Sequence, residues 1–392
     1  SIAYMLLMGM FLGWICKKLQ LPALTGMILT GMVLGPHILN LIDESILQIS
    51  SELRKIALII ILMRAGLSLN VDDLKKVGRP AILMCFLPAC FEITGMILLA
   101  PKLLGMTILD SAILGSVIAA VSPAVIVPKM LKLMEEHYGA TKSIPQLILA
   151  GASVDDVFVI VLFSAFTGLA KGNQISITSF LTIPVSILTG IGIGILIGCM
   201  LAKYFEHIHM RDTAKILILL CISFVLVTLE DSSAFLLPFS ALIAIMSMGI
   251  ALQKKRQIVA VRLSLKFNKL WVAAEILLFV LVGATVDLKY AASAGISAVI
   301  LIFGVLLFRM AGVFCCLIKT NLSMKERLFC MIGYTPKATV QAAIGGVPLA
   351  MGLSCGNIVL TIAVLAILIT APCGAFLIEQ TYQKLLTPEA HP

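Results

Sequence analysis

Residues 143–172 read SIPQLILAGASVDDVFVIVLFSAFTGLAKG, a stretch that is long and apolar enough to cross a lipid bilayer. Two adjacent acids, Asp155 and Asp156, lie near its middle. An ionised carboxylate at this depth is costly unless it is solvated or paired, so acids within a membrane helix are usually functional. Two in succession therefore predict a functional site within the membrane, in preference to an acidic edge on a soluble helix.

The composition of the whole chain is that of a membrane protein. Of its 392 residues, 60% are hydrophobic and only 12% are charged, and the mean hydropathy is +1.10. Soluble domains average about 25% charged residues. Apolar runs of about 20 residues recur from end to end, which is the length of a spanning helix. Because every backbone group in lipid must be hydrogen-bonded, the sequence predicts an all-α polytopic membrane protein.

Thirteen apolar segments are predicted to be transmembrane helices. Their approximate limits are 2–16, 22–38, 52–70, 79–99, 109–131, 143–171, 176–203, 213–229, 234–252, 268–286, 292–318, 326–350 and 357–383. In this arrangement 21 of the 29 Lys and Arg residues fall on one side of the membrane and five on the other. The positive-inside rule then predicts an external N-terminus and a cytoplasmic C-terminus, and we expect the plasma membrane.

The net charge and the cysteines exclude other classes of function. The net charge of +9 follows the predicted topology, so it does not indicate a nucleic-acid partner. The ten cysteines lie mostly within apolar runs and show no CxxC spacing, so they are typical of small buried side chains and not of metal ligands. We therefore expect no cofactor besides transported ions.

The second half of the chain repeats the first at offsets between 213 and 217. The matching pairs are Leu21-Pro22 with Leu237-Pro238, 65–69 with 282–286, Glu92 with Arg309, and Ser122-Pro123 with Thr335-Pro336. Predicted helices 1–6 then form one copy, helix 7 a linker, and helices 8–13 a second copy. Because the linker crosses the membrane once, the second copy is inverted. Inverted six-helix repeats are typical of secondary transporters, which alternate between states facing opposite sides.

Prolines predict a break at the same place in both copies. Pro123 interrupts predicted helix 5 and Pro336 interrupts predicted helix 12, because each proline removes a backbone donor and clashes with the preceding turn. We expect two crossing broken helices, unwound near residues 121–124 and 334–338. Unwound backbone at membrane depth is tolerated where it lines a cavity. Lys337 lies in the second break, where its ammonium could neutralise the carbonyl ends of the half-helices.

Glu92 and Arg309 occupy equivalent positions in the two copies, so a pseudo-twofold axis brings them together and predicts a buried ion pair. An arginine stays protonated near neutral pH, so Arg309 can hold a site together but cannot carry protons. If Glu92 takes the charge of Arg309, Asp155 and Asp156 remain free to titrate. A desolvated carboxylate beside a like charge can bind either a proton or a small cation, which is sufficient for an exchanger.

Hard oxygen ligands for such a cation are available near these acids in the chain and in the two predicted breaks. Beside Asp155 and Asp156, the predicted ligands of Na⁺ or Li⁺ are Ser122, Ser153, Thr335 and the carbonyl groups of the unwound segments. The sequence shows no large aromatic box or anion-binding basic cluster that would indicate an organic substrate.

Two further charges lie near the ends of predicted helices. Arg64 is expected to extend to the cytoplasmic surface, in preference to a role in the ion pathway. Glu275 has two interpretations that the sequence does not separate: a group that attracts cations or senses pH, and an ordinary interfacial acid. Residues 257–271, QIVAVRLSLKFNKLW, are amphipathic and predict a linker along the inner membrane surface.

Four features together resemble a known family. They are AVSPAV at 120–125, GASVDDV at 151–157, Arg309, and KATVQAA at 337–343. The chain resembles the sodium/proton antiporters of the cation:proton antiporter superfamily, most closely the NHA branch, over nearly its whole length. The resemblance implies a homodimer of thirteen-helix protomers. Residues 1–75 and 173–290, including linker helix 7, would be scaffold, whereas residues 76–172 and 291–392 would form a mobile core.

The resemblance also implies roles for the acids. Asp156 would be the main ion and proton site, with Asp155 its neighbour. Electrogenic bacterial members usually carry a lysine where this chain has Arg309, and that lysine pairs with the first aspartate. The departure from that pattern favours electroneutral exchange.

The sequence as a whole predicts a secondary-active antiporter that exchanges Na⁺ or Li⁺ for H⁺ by an elevator-like alternating-access mechanism. A K⁺/H⁺ exchanger of the same fold is the nearest alternative. A cation channel is disfavoured by the inverted repeat and the broken helices. An intramembrane aspartyl protease needs its two acids on different helices, whereas Asp155 and Asp156 are adjacent on one.

Overall fold

The computed structural model describes most of the chain. The described residues are 2–19, 21–68, 78–139, 142–171, 177–208, 210–231, 239–286 and 288–388, without the side chains at 124, 153, 177–184 and 288–294. Within them the protein is built from α-helices, and the sole extended pairing is an isolated antiparallel bridge between Tyr138 and Pro388. The predicted all-α architecture is confirmed. The Leu237-Pro238 match of the repeat lies outside the described residues.

The helices follow one another with short connections. In chain order they are α1 (Ile2–Lys18), α2 (Ala23–Leu34), α3 (Glu44–Gln48), α4 (Ser50–Ser68), α5 (Arg79–Met84), α6 (Leu87–Leu104), α7 (Ile108–Ile118), α8 (Pro123–Glu135), α9 (Ile144–Lys171), α10 (Ile177–His207), α11 (Asp212–Asp231), α12 (Ala241–Lys255), α13 (Gln257–Ala284), α14 (Leu288–Cys316), α15 (Met324–Gly333), α16 (Thr339–Ile344), α17 (Val347–Ala350) and α18 (Gly356–Leu385).

Seven helical stretches among the described residues are long and apolar enough to cross a membrane. The chain is therefore a multi-pass membrane protein. Several predicted spans consist of two or more short helices, such as α7 with α8, and others extend into residues outside the described ranges. The count of thirteen spans and the inverted repeat as a whole stay predictions.

The amphipathic stretch 257–271 is not a separate surface linker. Helix α13 runs without interruption for 28 residues from Gln257 to Ala284, so this stretch and predicted span 10 form one helix. The reason is local, because helix α13 has no proline and its single glycine, Gly283, lies in the last turn. Nothing before that turn interrupts the backbone hydrogen bonds of the helix.

The described chain divides into two compact units. The first comprises Ser1–Ser51, Asp72–Val159 and Ile276–Pro392, and the second comprises Glu52–Val71 and Ile160–Glu275. The two broken helices, Glu92, Asp155, Asp156 and Arg309 all belong to the first unit.

Helices α6 and α14 of the first unit pack closely and hold Glu92 and Arg309 between them. A Cβ on Gly95 would lie 2.6 Å from Cγ of Phe308, and one on Gly312 would lie 3.1 Å from Cβ of Phe91. The contact is reciprocal. Gly95 faces Phe308, which lies four residues before Gly312, and Gly312 faces Phe91, which lies four residues before Gly95. It matches the offset of 217 in the sequence, which also joins Glu92 to Arg309.

Candidate functional site

Two helices of the first unit are interrupted where prolines predicted a break. Residues 119–122 separate α7 from α8, and residues 334–338 separate α15 from α16. The second break lies where it was predicted, and the first begins and ends two residues before the predicted 121–124. The reason is that Pro123 occupies the first turn of α8, where a helix needs no backbone donor.

These two unwound segments, 119–122 and 334–338, meet each other. The N–H of Ser122 donates a hydrogen bond to the carbonyl oxygen of Pro336 at 2.8 Å. The Pro336 ring packs on Gly374 of α18, where a Cβ would lie 2.6 Å from the proline Cγ. Both predicted breaks therefore contribute to one place in the structure.

Arg309 is the centre of a charge cluster at this place, formed with Glu92, Asp155, Asp156 and Lys337, of which all but Asp156 are completely buried. Its Nη1 donates to Glu92 Oε2 at 2.8 Å, and its Nη2 donates to Asp155 Oδ2 at 2.7 Å. Its Nε donates to the carbonyl oxygen of Tyr334 at 2.7 Å, and Nη1 also bonds the carbonyl oxygen of Ala119. One guanidinium thus joins two carboxylates to the carbonyl ends of both half-helices, where the helix dipoles are negative.

The structure brings Glu92 and Arg309 together, but the expectation that Glu92 alone takes the arginine charge is wrong. Asp155 shares it, and its Oδ2 also accepts the N–H of Val121 at 2.9 Å. The physical reason is that a guanidinium offers five donors in a rigid fork, more than one carboxylate can accept. Asp155 is consequently held as a partner of the arginine, and of the three acids here Asp156 alone makes no ion pair with a described residue.

Lys337 has a different role from the one predicted. Its Nζ lies 2.6 Å from Glu92 Oε2, and its backbone N–H donates to Thr370 Oγ1 at 3.0 Å. The expectation that its ammonium neutralises carbonyl ends is therefore wrong. A full negative charge is the stronger partner for an ammonium than the partial charge of a carbonyl. Arg309 bonds the carbonyl ends instead.

Asp156 differs from its neighbour in access and in bonding. Asp155 is completely buried, whereas Asp156 keeps part of its surface exposed. Oδ1 of Asp156 has no hydrogen-bond partner among the described residues, and the same holds for the buried Oγ of Ser122. In the chain, Ser122 directly follows Val121 and Asp156 directly follows Asp155, the two partners of one hydrogen bond.

The remaining predicted site residues are placed as follows. Thr335 is buried in the second unwound segment, and its hydroxyl donates to the carbonyl oxygen of Ile332 at 2.8 Å, which leaves its oxygen able to act as a ligand. The side chain of Ser153 lies outside the described residues. Arg64 and Glu275 both belong to the second unit and interact electrostatically there. They are not part of the cluster around Arg309.

Sequence reasoning missed Gln341. Its side chain is 1% exposed and makes three hydrogen bonds, one to the backbone of Ala338 and two to the carbonyl oxygens of Ile118 and Ala120. A signal was present, because a polar amide shortly after a break in an apolar helix needs buried partners.

Comparison with known proteins identifies the family. The family described as "Sodium/hydrogen exchanger, transmembrane" matches residues 5–382. The chain belongs to the sodium/hydrogen exchanger family. It is 33% identical to human "Sodium/hydrogen exchanger 9B2" over 395 residues, covering 95% of this chain and 71% of that protein. It is 32% identical to the mouse protein of the same name over 389 residues, covering 95% and 70%.

A solved structure of an antiporter shares the fold. The sodium proton antiporter MjNhaP1 from Methanocaldococcus jannaschii at pH 8 superposes with a TM-score of 0.84 over 98% of this chain and 97% of that chain, at 21% identity. As a member of its family, this exchanger is a Na⁺/H⁺ antiporter and a transporter, not an enzyme. The protease alternative is thereby excluded.

Proposed function

We propose that Asp156 is the residue at which this exchanger binds Na⁺ or Li⁺ and H⁺ in alternation. The supporting observation is that Asp156 is the one acid of the described cluster that is partly exposed and makes no ion pair. A buried carboxylate oxygen without a partner is unfavourable, and a bound cation or proton would relieve that cost.

The ligands of the cation come from the same region of the first unit. Oδ1 of Asp155 and Oγ of Ser122 are buried and have no hydrogen-bond partner in the described part of the chain. With Asp156 they supply the hard oxygens that a small cation prefers, and Thr335 adds another. Ser153 is also a proposed ligand, because it lies three residues before Asp156 in the chain. Arg309 and Lys337 hold the neighbouring charges in place, and Pro123 and Pro336 keep the two segments unwound.

Charge balance supports one-for-one, electroneutral exchange. The described cluster contains three acids (Glu92, Asp155 and Asp156) and two bases (Arg309 and Lys337), so one negative charge is uncompensated when all are ionised. One Na⁺ or one H⁺ neutralises it equally. Arg309 cannot release its proton near neutral pH, so it adds no second proton to the cycle.

We also propose the wider mechanism on the resemblance of the chain to its family. Residues 76–172 and 291–392 would move as an elevator-like core relative to a scaffold of residues 1–75 and 173–290. Two protomers would form a homodimer in the bilayer of the plasma membrane, with the N-terminus outside and the C-terminus in the cytoplasm. No cofactor besides the transported ions takes part.

The ion specificity is tested with purified protein in liposomes loaded with a pH-sensitive dye. We expect proton movement on addition of Na⁺ or Li⁺, and little on addition of K⁺. A response to K⁺ alone would establish the K⁺/H⁺ alternative. A steady cation current that ignores the proton gradient would indicate a channel.

Electroneutrality gives a separate prediction. Because one charge is exchanged for one of the same sign, the initial rate of Na⁺/H⁺ exchange should not change when a membrane potential of about 100 mV is imposed. One net charge moved per cycle would couple about 2.3 kcal/mol per 100 mV to transport. The measurement uses valinomycin with K⁺ gradients of both signs, and a rate that changes in opposite directions for the two signs would contradict the proposal.

A further inference from the structure

Gln341 connects the two broken helices of the first unit. It lies at the third position of α16, and its Oε1 accepts the backbone N–H of Ala338 at 2.8 Å. Its Nε2 donates to the carbonyl oxygens of Ile118 at 3.1 Å and Ala120 at 2.6 Å, at the end of α7. A single buried amide is thus bonded to both helices next to their unwound segments.

The carbonyl groups that it holds need such a donor. The last carbonyl groups of a helix have no intrahelical partner, and after α7 the chain is unwound and then reaches Pro123, which has no N–H. The carbonyl of Ala119 is bonded by Arg309, and those on either side of it are bonded by Gln341. Side chains from α14 and α16 therefore fix three successive carbonyl groups.

Ser122 lies two residues after the last of these carbonyl groups. Its backbone N–H is bonded to Pro336, and the N–H of Val121 is bonded to Asp155. The backbone that carries the Ser122 hydroxyl therefore belongs to a short segment whose two ends are both held. Gln341 holds the end at Ala120, and Asp155 with Pro336 holds the other.

We propose that Gln341 is a positioning residue that sets the selectivity between Na⁺ and Li⁺. This inference rests on the proposed ion site at Asp156. Na⁺ and Li⁺ differ in size, so their relative affinity depends on where the oxygen ligands lie. A proton needs only one carboxylate oxygen, so its binding does not depend on the position of Ser122.

The test compares Gln341→Met with the wild-type protein. Methionine keeps the length of the side chain and removes all three hydrogen bonds. We expect exchange to continue, with the ratio of apparent KM for Na⁺ to that for Li⁺ changed roughly three- to tenfold, the size expected for a lost hydrogen bond. The pH midpoint of exchange should stay within the error of the wild type. Gln253→Met, at an equally polar buried position of α12 in the second unit, is the matched control and should keep the wild-type ratio.

The outcomes separate this inference from the proposed function. An unchanged KM ratio in Gln341→Met would overturn the inference, because a merely structural glutamine lowers the amount of active protein and leaves the ratio alone. If Gln341→Met does not fold, Gln341→Asn keeps the amide on a shorter arm and should change the ratio in the same direction; an unchanged ratio again overturns the inference. If the Asp156→Asn variant exchanges Na⁺ for H⁺ at the wild-type rate, the proposed ion site itself is overturned.

Discussion

Asp156→Asn is expected to abolish Na⁺/H⁺ exchange while the protein keeps its fold. The change removes the negative charge and replaces one carboxylate oxygen by an amide nitrogen, so the side chain can neither release a proton nor neutralise a cation. Asp156 makes none of the ion pairs of the described cluster, so the network of Arg309 with Glu92 and Asp155 stays intact. Exchange should fall to the background of protein-free liposomes.

Two measurements check this result. Proton movement in liposomes reports exchange. The difference between the melting temperatures of the purified protein in NaCl and in choline chloride reports Na⁺ binding. Na⁺ that binds only the folded protein raises the melting temperature of the wild type, and this rise should be absent in Asp156→Asn. Asp43→Asn, an exposed acid outside the cluster, is the control and should keep both responses. Substantial exchange by Asp156→Asn would show that another acid carries the ion.

Arg309→Ala is expected to be among the most destabilising single substitutions in the chain. It would leave Asp155 without its ion-pair partner and remove the donor from two carbonyl groups at half-helix ends. Breaking one buried ion pair costs roughly 3–5 kcal/mol of unfolding free energy, and Arg309 takes part in two. Glu92→Ala should cost less, because Arg309 keeps Asp155, although Lys337 then loses its carboxylate partner.

Melting temperatures in detergent measure these effects. The double variant Glu92→Ala/Arg309→Ala should lose less stability than the two single variants added together, since the side chains are in contact. Arg309→Lys keeps the charge but cannot reach four acceptors in different directions, so it should recover only part of the loss. Arg262→Ala, which removes an ion pair with Asp212 in which the arginine side chain is 54% exposed, should cost less than about 1 kcal/mol. Strictly additive losses for Glu92 and Arg309 would contradict the coupling described here.

The sequence reveals much of this arrangement because several of its signals are local. Pro123 and Pro336 each remove a backbone donor, whatever packs around the helix. The breaks lie within two residues of their predicted positions. The offset of 217 between Glu92 and Arg309 identified partners from helices that are far apart in the chain. Adjacent acids in an apolar run marked the site without any knowledge of what surrounds them.

The partners of each charge were harder to predict. Arg309 has Glu92 from α6 and Asp155 from α9 within reach, and sequence symmetry indicated only the first. Lys337 was expected to bond carbonyl groups in its own break, yet its ammonium bonds the carboxylate of Glu92 from α6. Gln341 went unnoticed because its carbonyl partners lie more than 200 residues away in the chain.

The amino-acid sequence by itself determined the membrane class, the all-α fold and the two breaks, and it singled out the two adjacent acids, since hydrophobicity and missing backbone donors act within one segment. Only the tertiary structure decided which acid stays outside the ion pairs. Donors on α14 and α16 meet acceptors on α6, α7 and α9, and a side chain with several donors bonds whatever packing brings within about 3 Å. Packing ties Oδ2 of Asp155 to Arg309 and leaves Asp156 partly exposed, so the two adjacent acids divide into a partner of the arginine and the main proposed ion site.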